Sequence, residues 1–316
     1  MTTFSRVSRC ARAMVVAGMA GLVAAGPTQA QDEQEQQQAV EPLSYAPAER
    51  VAPLFGVTSG ELLLDARLTE QSAPLADGMV WRIFGAQSGP DGKLPLIAVA
   101  RGGPARFQLE TGSYLIHGAF GRAAASARID LGAETVQKSM VLNAGGLKLE
   151  AMLPDGGEVR RSKLSFDIFT AGDSGERELI LPDVPPGRTI RLHAGTYHVV
   201  SDYGEVNATI RADLLVEAGQ LTEASIEHRA AQVTLNLVRS EDGYPLADTA
   251  WSVVGVSGEV IAEHVGAYPE MVLAAGDYTV IAKNRDNIYQ RDITVEAGKD
   301  VTVRVIANGE NATAAR

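Results

Sequence analysis

Five histidines, His117, His193, His198, His228 and His264, are the side chains of this 316-residue chain best suited to proton transfer or metal binding near neutral pH. His193 and His198 flank Gly195. Metal ligands of this kind are normally set on one helix face or in Cys/His knuckles, and neither pattern occurs here, so both read as ordinary surface histidines. The acidic runs Glu241-Asp242 and Asp155-Gly156-Gly157-Glu158 fall in predicted turns. They lack the order of an EF-hand loop, and solvated turns are their default reading. No G-x-S-x-G elbow, phosphate-binding loop, dinucleotide fingerprint or H-E-x-x-H occurs. Two-carboxylate chemistry would leave no sequence signal. The expectation is no catalytic residue, no metal, no cofactor and no enzyme activity.

Aromatic residues are the better candidates for function. Phe120 before Gly121, Tyr203 before Gly204, and Tyr289 each follow a strand near a predicted hairpin tip, and Tyr244 sits in the Asp242-Gly243 turn. Aromatics at the loop ends of a sandwich stack on sugar rings or anchor a partner chain. The competing reading folds each ring back over its own hairpin as a packing cap. Asn207-Ala208-Thr209 and Asn311-Ala312-Thr313 also match glycosylation acceptors, which matter only in a eukaryotic host.

The elements that position these residues come in three copies. Leu-x-x-Gly-x-Tyr recurs at Leu109–Tyr114, Leu192–Tyr197 and Leu273–Tyr278, with the tyrosines 83 and 81 residues apart. A period of that size marks one folding unit repeated in tandem. About thirty residues earlier an aromatic leads a strand in each copy: Trp81, Phe166 and Trp251, spaced by 85 and 85. Each copy opens with an alternating strand, at 62–68, 147–153 and 233–238. Short period-2 runs separated by Gly- and Asp-rich turns, without a long helical stripe, predict an all-β chain of three tandem Ig-like or prealbumin-like antiparallel β-sandwiches. The predicted sandwiches cover 58–144, 145–230 and 231–308.

Alternation places Tyr114/Ile116, Tyr197/Val199 and Tyr278/Val280 on inward rows, with His117 and His198 facing outward. Trp81, Phe166 and Trp251 fill the opposite inner faces, so these six aromatics are the predicted structural core. Each tyrosine hydroxyl is expected to reach a backbone group upstream, as in a tyrosine corner. The glycine before it suits a positive φ. Junctions such as Leu142–Leu147 and His228–Val233 leave almost no linker, which predicts restricted domain motion and a stiff or bent rod.

The ends of the chain read differently. Arg6, Arg9 and Arg12, the apolar run 13–25 and Thr28-Gln29-Ala30 have the layout of a cleavable signal peptide over 1–30. Thirteen apolar residues fall short of the about 20 that span a bilayer. Cleavage removes the sole cysteine, Cys10, and three of the 28 basic residues, leaving 25 against 39 acidic ones, a formal charge of −14. Disulfides and thiolate chemistry are thereby excluded from the mature chain. So acidic a surface disfavours nucleic acid and anionic lipid. The Gln- and Pro-rich stretch 31–57 reads as a disordered tether, and 309–316 as a loose tail.

The run Leu273-Ala-Ala-Gly-Asp-Tyr278-Thr-Val, followed by Tyr289 and Ile293-Thr-Val-Glu-Ala-Gly298, resembles the bacterial carboxypeptidase regulatory-like domain. Gly243-Tyr-Pro-Leu-Ala-Asp248 and Ala73-Pro-Leu-Ala-Asp77 are similar to that family's opening phrase, and Phe107 to its aromatic before the tyrosine. Copy two departs, with Pro154-Asp155-Gly156-Gly157 in that place. The resemblance spans about 60–308 and implies a prealbumin-like sandwich serving as a non-catalytic spacer, attachment or binding module. The expected protein is therefore exported, soluble, and periplasmic or extracellular. It is expected to act as a scaffold or adaptor for another envelope or extracellular protein; the alternative is a glycan-binding module for wall or surface polysaccharide.

Overall fold

The computed structural model describes residues 46–47, 58–171, 177–307 and 312–314. The signal-peptide reading and most of the tether lie outside them. Seven strands build each repeat. The first repeat holds β2 (Ser59–Arg67), β3 (Met79–Gly85), β4 (Leu96–Gly102), β5 (Ala105–Glu110), β6 (Gly112–Phe120), β7 (Ala123–Leu131) and β8 (Val136–Val141). The second holds β9 (Ala144–Met152), β10 (Leu164–Thr170), β11 (Leu179–Val184), β12 (Thr189–His193), β13 (Gly195–Tyr203), β14 (Thr209–Val216) and β15 (Leu221–Glu227). The third holds β16 (Ala230–Val238), β17 (Thr249–Gly255), β18 (Val260–Val265), β19 (Glu270–Ala274), β20 (Gly276–Asn284), β21 (Asn287–Val295) and β22 (Val301–Ile306). Two short pieces flank them, β1 (Ala46–Pro47) and β23 (Ala312–Ala314).

The three repeats share one topology. Strands four, one and seven form one sheet (β5-β2-β8, β12-β9-β15, β19-β16-β22), and strands three, two, five and six form the other (β4-β3-β6-β7, β11-β10-β13-β14, β18-β17-β20-β21). The chain is thus all-β, with three repeated sandwiches. The four-stranded sheets are antiparallel throughout. In each partner sheet, however, the first strand runs parallel to the seventh. Side-chain alternation has the same period for either direction, so the sequence pattern is blind to this pairing. Central placement explains why β16 is buried along nearly its whole length.

Each sandwich has its own apolar core, around Trp81, Phe166 and Trp251, which are 0%, 0% and 1% exposed. The two indoles also place their N–H groups: Trp81 Nε1 donates to Gly103 O at 2.8 Å and Trp251 Nε1 to Gly266 O at 2.9 Å. The tyrosines close the corners. Tyr114, Tyr197 and Tyr278 donate to the carbonyls of Glu110, His193 and Ala274, each four residues upstream, at 2.8, 3.0 and 2.9 Å. Burial raises the pKa of the Tyr114 hydroxyl, with the Glu110 charge adding to it, and burial alone raises that of Tyr197. Both therefore remain donors at any physiological pH.

Four details differ from expectation. Of the corner glycines only Gly195 has a positive φ, +154; Gly112 and Gly276 begin their strands extended, lying 3.9 and 3.8 Å under the following tyrosine ring as measured from an added Cβ. His198 does lie on the outward row, but Phe169 covers it and it is only 7% exposed. Within the stretch read as a tether, β1 pairs with β5 at Ala105 and Arg106. Within the tail, β23 extends the five-stranded sheet of the third sandwich by pairing with Asn287–Tyr289. Backbone pairing requires no apolar side chain, so composition gave no warning of either strand.

Candidate functional site

The joints between sandwiches explain where most of the candidate residues went. Two residues, Leu142-Asn143 and His228-Arg229, separate the last strand of one repeat from the first of the next. At the first joint, the β6–β7 hairpin abuts β12. Arg122 N donates to Arg191 O at 3.0 Å, and the Arg191 guanidinium lies 4.2 Å from the centre of the Phe120 ring. His193 bridges the same joint: its Nε2 accepts the Ala124 amide at 3.1 Å, and its Nδ1 donates to Leu142 O at 3.1 Å. Its two nitrogens are thus committed to backbone.

At the second joint, Asn207 uses both ends of its amide. Nδ2 donates to the Tyr278 hydroxyl at 2.9 Å, and Oδ1 accepts the Ala274 amide at 2.9 Å. The corner of the third sandwich is therefore completed by the second, and Asn207 is not a free glycosylation acceptor. Val272 packs into the core of the second sandwich and Val206 into that of the third. Arg160 pairs with Asp300 at 2.7 Å across the same joint.

The hairpin aromatics separate under this geometry. Tyr203 is 2% exposed, its ring edge-on to His228 at 5.8 Å, so it offers no surface to a ligand. Phe120 is half-buried against the first core and covered by Arg191. Tyr289 packs against the third core, but it is not the counterpart of the other two. Met79 pairs with Phe120 and Thr249 with Asn284, so Asn284 holds that position in the third repeat. Tyr289 stands on the next strand, opposite Ala282. Of the four candidates only Tyr244 is open, at 92% exposure. Tyr268, 59% exposed, is a further open aromatic outside the sequence candidates; its signal is a Tyr-Pro pair in a Gly-containing turn, shared with Gly243-Tyr244-Pro245.

Repeat comparison places these two tyrosines. In the first two repeats, the hairpin after strand five and the loop after strand one meet the next sandwich. Gly121 and Gly204 approach so closely that an added Cβ would lie 2.7 Å from Arg191 Cβ and from Val272 Cβ. From the loops, Gly78 meets Arg191, and Arg160 reaches Asp300. The topological equivalents in the third repeat are Arg285 and the loop carrying Tyr244. Gly121, Gly204 and Arg285 have φ of +66, +80 and +53, so the backbone is alike while the side chain differs. Tyr268 lies at the same end, because Gly266 N bonds Thr249 O beside the start of β17. The third sandwich thus exposes, at the position where a next repeat would dock, Tyr244, Tyr268 and Arg285.

The remaining polar chemistry is sealed or spread out. Ser201 Oγ and His228 Nε2 lie 2.7 Å apart, a separation suited to a base-activated nucleophile. Both residues are at most 1% exposed, so no substrate reaches them. Burial lowers the His228 pKa against an opposing pull from Asp202, and its Nδ1 has no partner among the described residues. His198 Nδ1 bonds Asp213 at 2.7 Å and His117 Nδ1 bonds Ser126 at 3.0 Å, in different sandwiches. Among the described residues no three His, Cys, Asp or Glu side chains come together as a metal site. Nor is any helix among them long and apolar enough to cross a membrane.

A family comparison agrees with the repeat architecture. Residues 232–307, the third sandwich, match the Rhizobiales growth-associated tandem repeat domain. No curated protein matches the chain. Among solved structures, GBS52, the minor pilin of Streptococcus agalactiae, is similar at 15% identity over 54% of this chain and 95% of its own, with a TM-score of 0.30. The streptococcal ancillary pilin is similar at 12% identity over 79% of this chain and 99% of its own, with a TM-score of 0.28. The Bacillus anthracis TIE protein is similar at 14% identity and a TM-score of 0.23; 79% of this chain covers 50% of that protein.

Proposed function

We propose that the protein is an exported, non-catalytic scaffold or adaptor that holds another cell-envelope protein at the free end of its third sandwich. One observation carries this reading. Among the described residues, the end that the first and second repeats bury against a neighbour leaves Tyr244 and Tyr268 exposed in the third, with Arg285 on the hairpin that β23 borders. Tyrosine and arginine are among the residue types enriched at the anchoring positions of protein interfaces. The bonded joints support a scaffold role, since they hold that end in a defined position relative to the rest of the array. The growth-associated label of the family matched by the third sandwich supports a partner that serves cell growth.

Photo-crosslinking in the native cell tests this. A photoreactive phenylalanine at position 244 or 268 should trap one and the same envelope protein, whereas the probe at exposed Leu96 in the first sandwich should not. A Tyr244→Ser/Tyr268→Ser variant should lose that partner without a change in Tm. Retention on polysaccharide that disappears in this variant, with no protein trapped, would replace the adaptor reading by the glycan module. Equal trapping from all three positions would remove the role of the free end.

A further inference from the structure

A second surface, distinct from the free end, lies at the joint between the second and third sandwiches. There β18 is the edge of one sheet of the third sandwich and β19 the edge of the other. A groove of about 550 Å³ runs beside them, lined by Ile261–His264 of β18, Glu270–Val272 and, from the second sandwich, Ser162–Ser165 and Gly204–Val206. The Gly266–Thr249 bond fixes which β18 residues face their own sheet. Thr249/Gly266 is a hydrogen-bonded pair, so by alternation Trp251/His264 and Val253/Ala262 are also bonded. The amides and carbonyls of Glu263 and Val265 therefore point away from β17, toward any strand that comes alongside.

Natural sheet edges are usually guarded by proline, lysine or a covering element. The equivalent edge in the second repeat, β11, contains Pro182 and the left-handed Asp183 (φ +49). In contrast, β18 reads Val-Ile-Ala-Glu-His-Val, with Val260 58% and Val265 80% exposed and no proline or lysine; its one irregularity, a register shift opposite Val253–Val254, lies at the start of the strand and leaves Glu263 and Val265 in regular pairing. Charge selects the occupant. Glu205, Glu263 and Glu270 line the groove against one lysine, Lys163, which donates to Gln232 Oε1 at 3.2 Å, so carboxylates outnumber cations there. The mature chain's acidic balance disfavours a second copy of itself. We infer that this groove binds an extended, lysine- or arginine-bearing segment of a partner protein, which adds to β18 as a further strand and sets its cations against Glu205 and Glu263. Main-chain bonds would supply affinity and the carboxylates selectivity, the division of labour found in strand addition.

The test uses the whole chain and a synthetic octapeptide of alternating lysine and valine, followed by fluorescence anisotropy. Binding is expected to weaken at least tenfold in the Glu205→Lys/Glu263→Lys variant, whose substitutions are on the surface and should leave Tm unchanged. Two further octapeptides, N-methylated at the odd or at the even positions, report strand pairing directly: one of the two should lose binding and the other keep it. An alternating glutamate–valine octapeptide should not bind. Loss of binding with both methylated peptides, or with neither, would overturn strand addition, and an undiminished affinity in the charge-reversal variant would overturn the groove. The Tyr244→Ser/Tyr268→Ser variant should bind the octapeptide normally, so this proposal and the role of the free end fail separately.

Discussion

Replacing Asn207 by alanine should weaken the third sandwich although Asn207 belongs to the second. The substitution deletes two hydrogen bonds of 2.9 Å, to the Tyr278 hydroxyl and from the Ala274 amide. A bond of this kind contributes about 0.5–1.5 kcal/mol net, and an orphaned amide costs about 1–3 kcal/mol. Tyr278 keeps its own bond to Ala274 O, and Ala274 is half-buried, so the lower part of those ranges applies. The expected loss is about 2 kcal/mol, equivalent to roughly 10 °C in Tm for a unit of this size. The two tryptophans make the assay selective. Trp81 reports the first sandwich and Trp251 the third, and the chain has no others. In a Trp81→Phe background the indole fluorescence of Trp251 follows the third sandwich alone. Combining Asn207→Ala with Tyr278→Phe should give a coupling energy of about 0.5–1.5 kcal/mol, since both remove one shared bond. A Trp251 transition within about 1 °C of the parent, measured against the shift expected, would refute the idea that the second sandwich completes the corner of the third.

Three further outcomes follow from the same geometry. Gly204→Ala should destabilise by about 2 kcal/mol or more, through the left-handed φ and the collision with Val272, whereas Arg285→Gly at the matching position should stabilise by about 1 kcal/mol; urea titration of both variants checks this. Tyr278→Ala should cost about 3–5 kcal/mol as a large core truncation, and a Tm shift of about a degree would show that the ring is no core residue. Stability should also depend on pH through His228, whose folded pKa lies below its ordinary 6.5 because the ring is buried. The unfolded chain takes up this proton first as pH falls, so the contribution is complete above about pH 6.5 and declines below it, by at most about 1.4 kcal/mol per pH unit, until the folded group also protonates. His228→Gln should flatten that limb between pH 7.5 and 5 in urea melts; an unchanged slope would assign the dependence to other groups.

Much of the sandwich was legible because its determinants repeat. Tyr114, Tyr197 and Tyr278 carry the same short phrase and make the same bond to the fourth residue upstream, so one correct reading served three times. The joints were not legible, since Arg191, His193 and Asn207 act on partners in another repeat and share no motif. Nor could spacing alone align Tyr289. An aromatic near a hairpin suggests equivalence with Phe120 and Tyr203, while strand pairing assigns that place to Asn284. The surface tyrosines were half legible: Tyr244 stood out by its turn, and Tyr268 became visible only when the ends of the three sandwiches were compared.

Arg285 bears on how such an array can lengthen. A duplication of the second unit would insert a copy whose trailing hairpin already has the bare α-carbon its successor needs. A duplication of the third would place Arg285 against the incoming strand, where the two counterpart glycines allow no side chain. A unit with glycine at this hairpin position can therefore be copied with its contact to a successor already in place, whereas a unit carrying Arg285 needs a substitution there first.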